Sequence, residues 1–401
     1  GMQVIGDYHS NRAVVRAQGD LVFYGDYRDE FYSQLVTPGN AWFTGNRNQY
    51  LDIKTWPNLD ADSVFVDKSP SKTLTGNPLQ LDDFGQVLNL PNSWETGDTV
   101  FIDDYFNFHS YGGAGLVIRD GVVEVGEEAI SIVGDCEIHD GAVLRVGVGG
   151  RVFAQAGSGK VLSGGRFQSI GSADSNATVQ FVNDFDLNIK PGGIISTSYT
   201  EYSLCCDSGI YISSGGIIDP IHPFTNCTFT PDTIIMAGSA LNRLLTINNN
   251  QSLIIENVQF HDNPNYPSSV FNVAKTVNAG MVYFKSATGS LAGESYDIDI
   301  FNRIIWTDSL SLTMMPALTI CAGDTARLWG KPAGGLTPYA YTWSGGAGIL
   351  NPGDSLALAV PATTTTYTLK VGDQFGDYVT GSVLVTVNPL PAVSASATPP
   401  V

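Results

Sequence analysis

Between Leu116 and Gly171 the sequence breaks after every three or four strand-forming residues. Gly121, Gly126, Gly134, Gly141 and Gly147 follow one another at spacings of 5, 8, 7 and 6. The runs they bound each hold inward candidates, Leu116/Ile118, Val123/Val125, Ile130/Ile132, Cys136/Ile138 and Val143/Val146, the first four pairs at alternate positions. Alternation at period two marks a strand with one buried face. Strands this short cannot lay down long hairpins, so the chain must coil. Short strands with Gly, Asn or Asp at the corners predict a parallel β-solenoid, in which no coil buries its apolar face alone and each caps its neighbour.

Further on the period lengthens. Asn226-Cys227-Thr228-Phe229 resembles Asn257-Val258-Gln259-Phe260, and Met281-Val282-Tyr283-Phe284 and Arg303-Ile304-Ile305-Trp306 read as the same position again. The steps are 31 residues from Phe229 to Phe260, 24 to Phe284 and 22 to Trp306. Periods of this size belong to stacked repeats. Their irregularity predicts bulging loops, such as His261 to Ser268, and an Asn at a corner can bond the Asn above it. The one helix-compatible stretch is Gly238 to Leu245.

At about Ser309 to Pro316 the style changes. Tyr339, Tyr341 and Trp343 precede two long alternating runs, Thr364 to Val371 and Gly381 to Val387. About seven short strands in this length suit a small β-sandwich. The expected division is therefore all-β: a β-solenoid over 1–310, a sandwich over 316–391, and a linker over 392–401. We take the solenoid as right-handed, the commoner class.

The chain has 39 acidic and 20 basic residues, a net charge of −19. From Ala317 onward four acids (Asp324, Asp354, Asp373, Asp377) face three bases (Arg327, Lys331, Lys370), so the first 316 residues carry −18. Such a balance repels nucleic acid, whose binding rests on Lys and Arg, and anionic membranes. No apolar run is long enough to span a bilayer. No oligomer is expected. Gly1 before Met2 reads as a scar of tag removal, and the chain as a piece of a longer polypeptide. Five cysteines contain no CxxC, so neither a zinc knuckle nor a thioredoxin-type site is indicated. Cys205 and Cys227 lie 22 residues apart, about one coil, and stacked positions satisfy disulfide geometry. A Cys205–Cys227 bridge is thus geometrically allowed, whereas one between adjacent Cys205 and Cys206 is strained. Cys136 reads as a small buried apolar residue.

The segments Ile320-Cys321-Ala322-Gly323-Asp324, Pro338 to Ser344, Thr364 to Leu369 and Val383 to Val387 together resemble a PKD/Ig-like repeat of large secreted Bacteroidetes surface proteins. Such repeats stand in tandem ahead of a type IX secretion sorting domain. Their Cys in this position often pairs near the last hairpin, where this chain has Gln374-Phe375-Gly376-Asp377 and no cysteine. Thr398-Pro399-Pro400-Val401 resembles Met315-Pro316-Ala317-Leu318, the lead into the repeat. Phe43 to Tyr50, Val64 to Ser69 and Thr73 to Asn77 resemble the β-solenoid regions of the same kind of protein. The resemblance implies a secreted, cell-surface address and a role as adhesin or surface scaffold. The partner would be an unidentified extracellular polysaccharide or protein.

Pectin-lyase-like β-helices also include polysaccharide lyases and glycosidases, so a polysaccharide-binding or polysaccharide-degrading protein is the alternative. A glycosidase needs two facing carboxylates. The candidates are Asp82/Asp83, Asp103/Asp104 and Asp297/Asp299, of which only the last pair shares a strand face. Arg303 could serve them as a lyase base. The five histidines form no HxH or HExxH, and His139 and His261 read as turn or surface residues. Trp306 and Trp343 read as core, while Trp42, Trp56 and Trp94 are candidates for sugar stacking. On balance the expectation is a non-catalytic structural protein with no catalytic or metal residues and no cofactor, with Ca²⁺ on the acidic solenoid the exception left open.

Overall fold

The structure, a computed structural model, describes residues 116–391 except 120, 128, 183–184, 206–208, 233–241, 264–269 and 347. Ahead of these it describes the backbones of short strands from Met2–Val4 onward and a few side chains. The chain divides into two compact units, Gly1–Trp306 and Thr307–Val401.

In the first unit Val143–Val146, Arg151–Gln155 and Ser158–Val161 follow one another, and the next coil repeats them as Arg166–Ile170, Ala177–Val182 and Asp186–Ile189. Each strand pairs in parallel with its successor one coil on: Leu144 with Phe167, Val152 with Val179, Gly159 with Leu187. The unit is therefore a parallel β-solenoid with three walls. We number them from the strands Arg151–Gln155 (wall one), Ser158–Val161 (wall two) and Val143–Val146 (wall three). Strand Ala129–Ile138 belongs to two of them, because residues 129–133 pair into wall one and 136–138 into wall two. The same column begins at the N-terminus, where Met2 pairs with Leu21 and Leu21 with Ala41.

Alternation dictates what lies inside. Strand Ala177–Val182 buries Ala177, Val179 and Phe181 and turns Thr178, Gln180 and Val182 outward. The inward residues of all three walls merge into one apolar core. Coils differ in length as expected. Wall two advances 23 residues from Leu187 to Ile210, then 35 from Ile210 to Leu245. Part of the helix-compatible stretch is strand, Asn242–Ile247. Pairing to Ile210–Ile212 and Val270–Lys275 overrides a weak local helix preference, and 238–241 lie outside the described residues.

Two corners are built from backbone. Where wall two meets wall three, Gly141, Gly164, Gly192 and Gly215 all have φ near +80°. Each N–H donates to the next one's carbonyl, Gly141 to Gly164, Gly164 to Gly192 and Gly192 to Gly215. Where wall three meets wall one, Tyr199, Asn226, Asn257 and Ser286 take left-handed φ of 49° to 59°. There Tyr199 donates to the Thr225 carbonyl, Asn226 to Glu256 and Asn257 to Lys285. The expected stacking of corner asparagines is thus a stack of left-handed backbone positions, which Asn tolerates.

The aromatic period resolves into two columns. Phe229 and Phe260 occupy one position of wall one. Phe284 pairs instead with Ile255, in the sheet that continues wall three and ends with Trp306's strand. The 31-residue step is a full coil, whereas the 24-residue step crosses from one wall to another. The rings still meet: Phe260 lies 5.8 Å from Phe284 and 5.9 Å from Trp306.

The second unit is a β-sandwich of two four-stranded sheets. One runs Ser311–Met314, Ala326–Ala333, Leu356–Ala359, Ile349–Leu350. The other runs Leu318–Cys321, Tyr378–Asn388, Thr365–Gly372, Ala340–Ser344. Leu328, Trp343, Tyr367, Leu369, Val371 and Val385 fill the space between them. The sandwich begins one strand earlier than the expected residue 316, because Ser311–Met314 already pairs with Ala326–Ala333. After Pro316 the chain changes sheets, and Leu318–Cys321 pairs in parallel with the last strand. The expected linker, 392–401, lies outside the described residues.

Candidate functional site

Parallel register stacks like positions, so charges one coil apart meet on the outside of the solenoid. Arg145 pairs in register with Glu124 on one side and Gln168 on the other. It donates to Glu124 Oε2 at 3.0 Å and Gln168 Oε1 at 2.9 Å. Lys160 reaches Glu137 at 3.0 Å and Asp135 at 3.6 Å, and the hydrogen bond to Glu137 leads in raising its pKa. Lys285 meets Glu256 at 2.8 Å. Arg166 donates to both Ser196 and Asp219, and Ser196 to Asp219. Burial pushes the Asp219 carboxyl up, but its hydrogen bonds from Ser196, the Ile221 N–H and Arg166 outweigh this and hold it below its ordinary value. Exposed pairs contribute little stability each. Their effect is to consume charge in place, coil against coil.

The last coil gathers Asp297, Asp299, Arg303 and Trp306. Asp297 Oδ2 accepts the Trp306 indole N–H at 2.7 Å. Asp299 accepts the backbone N–H of Ile304 at 2.6 Å and of Phe301 at 3.3 Å. Arg303 turns to Asn278 Oδ1 and Met281 Sδ rather than to either carboxylate. Lys275, in register with Asp299, is wholly buried and donates to the carbonyls of Ile247 at 3.2 Å and Asn249 at 2.9 Å. Burial pushes Lys275 down to about 8, with Asp299 opposing and Arg303 assisting. The expected trio is thus brought to one coil, but each member holds a turn or a neighbour.

Burial pushes the Asp297 carboxyl up to about 6; the Trp306 bond opposes this, and Glu294 and Asp299 add to it. A carboxyl raised in the folded state binds more protons there than in the unfolded chain, so stability falls as pH climbs through about 4 to 6. Asn keeps the acceptor for Trp306 and removes the charge. Asp297→Asn is therefore expected to stabilise the protein at pH 7.5, by about 1 kcal/mol after solvent screening, and to leave stability at pH 4 unchanged. Thermal melts at the two pH values check this. Equal effects at both would place the charge outside any unfavourable setting.

Asp82/Asp83, Asp103/Asp104 and Trp56 lie outside the described residues, as do the side chains of Trp42 and Trp94. His261 bonds Gln259 at 3.0 Å, and His139 lies 3.5 Å from Glu137. Among the described residues no three His, Cys, Asp or Glu side chains gather as a metal site would need. Cys205 and Cys227 are separate buried thiols. The coil here advances 27 residues, Glu201 pairing with Thr228, not the 22 that would stack the two cysteines. Cys227 lies instead 3.6 Å from Thr197 Oγ1, and Cys205 faces the Phe185 carbonyl. Burial pushes the Cys136 and Cys227 thiols up to about 12, so neither forms a reactive thiolate. Trp306 and Trp343 pack in their cores as expected, whereas Trp329 is 42% exposed. Its alternating strand, Arg327-Leu328-Trp329-Gly330-Lys331, is the signal that would have shown this.

No family model matches the chain, and no curated protein matches it. Among solved structures it is similar to the solution structure of the PKD domain from the KIAA 1837 protein, at 22% identity and a TM-score of 0.19. That match covers 21% of this chain and 92% of the other.

Proposed function

We propose that the chain is a non-catalytic segment of a large secreted cell-surface protein, serving as a rigid scaffold in surface attachment. On this reading the solenoid is a right-handed, pectin-lyase-like β-helix and the sandwich a PKD/Ig-like repeat. Export is by type IX secretion as in Bacteroidetes, and the partner is an extracellular polysaccharide or protein. The observation that carries the reading is the use of the charged groups. On the described walls they close ladders between coils (Glu124–Arg145–Gln168, Glu137–Lys160, Glu256–Lys285), and Asp297 and Asp299 close turns. Such groups lock coil to coil, which suits a stiff spacer, and the Asp297/Asp299 pair is held by Trp306 and by turn N–H groups. Fold alone would not decide this, since β-helices host many functions.

Beads carrying the full chain are expected to attach saturably to surfaces coated with extracellular polysaccharides or matrix proteins, above beads carrying albumin. Attachment no greater than albumin across the panel would overturn the reading.

A further inference from the structure

Strand Ala326–Ala333 is central in its sheet. Its first half pairs with Leu356–Ala359 and its second with Ser311–Met314. Each half of the strand thus has one strand neighbour, and the outward face of both halves presents side chains. Its outward row is Arg327, Trp329 and Lys331, all exposed, with Ala326, Leu328 and Gly330 buried beneath. Alternate residues of a strand stand about 7 Å apart on one face, so the indole is flanked by a cation at either end. The cross-strand partners of this row are Leu358, Leu356 and Thr313, and none is a carboxylate. Neither Arg327 nor Lys331 is in an ion pair among the described residues. The third base after Ala317, Lys370, lies 4.0 Å from the Tyr378 ring centroid. Leu356 and Leu350, 46% and 52% exposed, extend the apolar floor.

We propose that Arg327, Trp329 and Lys331 form a binding strip for an acidic polysaccharide. The C–H face of a pyranose ring stacks on the indole, and uronate carboxylates on the neighbouring sugars meet the two cations. A sugar chain suits the strip better than a peptide, because the face of a strand offers side chains and not its hydrogen-bonding edge, and a flat aromatic among cations reads a flat ring bearing anions. This deepens the attachment reading and rests on it: it names the ligand class and places recognition on the sandwich.

Affinity electrophoresis of the full chain tests it, in gels containing polygalacturonate, a neutral glucan or polyglutamate. Retardation by polygalacturonate alone is expected, and it should fade with added salt as exposed charges are screened. Trp329→Ala should weaken it about tenfold. The Arg327→Gln/Lys331→Gln double variant should weaken it and remove most of the salt dependence. All substituted residues are exposed, and unchanged melting temperatures verify folding. No retardation by polygalacturonate, equal retardation of all three proteins, or retardation only by polyglutamate would overturn the proposal. Bead attachment that persists in Trp329→Ala would overturn the strip while leaving attachment itself standing.

Discussion

Phe229→Ala is expected to lower the stability of the solenoid by about 3–5 kcal/mol, the range for truncating a large buried aromatic. Phe229 is fully buried. It stacks on Tyr202 at 5.0 Å with 13° between the planes and on Phe260 at 5.3 Å with 17°, and Phe224 lies 5.8 Å away. Three coils therefore lean on one ring. Its removal costs the transfer of the side chain and the stacking with two partners, and it leaves a cavity that neighbours pinned by coil register cannot close. Urea denaturation followed by circular dichroism measures the loss. A stack of repeats can unfold piecewise, so a split transition with its early part moved to lower urea counts as the same result. A midpoint unchanged from the parent would contradict the aromatic column.

Gly193→Ala is expected to destabilise by about 3 kcal/mol, at the upper end for forced overpacking. A Cβ at 193 would lie 2.3 Å from the Val161 carbonyl oxygen and 3.0 Å from that of Leu162. Both obstacles are backbone of the preceding coil, so no rotamer can relieve the overlap and the two coils must separate. Gly126→Ala is the internal contrast. Nothing lies within 4 Å of a Cβ there, so the change should be close to neutral. Melting temperatures of the two variants, measured side by side, check the claim. Equal shifts would mean that loss of glycine itself, rather than coil spacing, sets the cost.

These two positions also show what could be read in the chain. The alternation of Val123/Val125 and the closing glycines announce short strands, because burial of every second residue is a local demand; in the expected inward pair Val143/Val146 it is Leu144 that joins Val146 inside, since inward residues of a strand lie two apart. The likeness of Asn226–Phe229 to Asn257–Phe260 announces one coil, because position, corner and ring repeat together. The equivalence of Phe284 to Phe260 failed for a physical reason. Three walls present the same inward apolar residues, so a motif of strand plus ring does not say which wall it is on. The paired glycines Gly164-Gly165, Gly192-Gly193 and Gly215-Gly216 were the better clock, since the corner between walls two and three repeats a positive φ followed by a close backbone approach on successive coils. Cys205–Cys227 failed on coil length alone. Lys275, buried on the carbonyls of Ile247 and Asn249, had no local signal, because a lone lysine in a strand looks like any outward charge. Likewise Asp297/Asp299 could be picked as a pair, but their use by Trp306 and by the turn's own N–H groups depends on how the last coil closes.

The most direct measurement of the central claim, attachment without turnover, is an incubation of the full chain with acidic polysaccharides, with and without Ca²⁺. New reducing ends and unsaturated uronate absorbance would be followed together. The account predicts no product above the buffer control in either condition, with the polysaccharide recovered intact. Product that accumulates with time and disappears in Asp297→Asn would contradict it and make the last coil a catalytic centre.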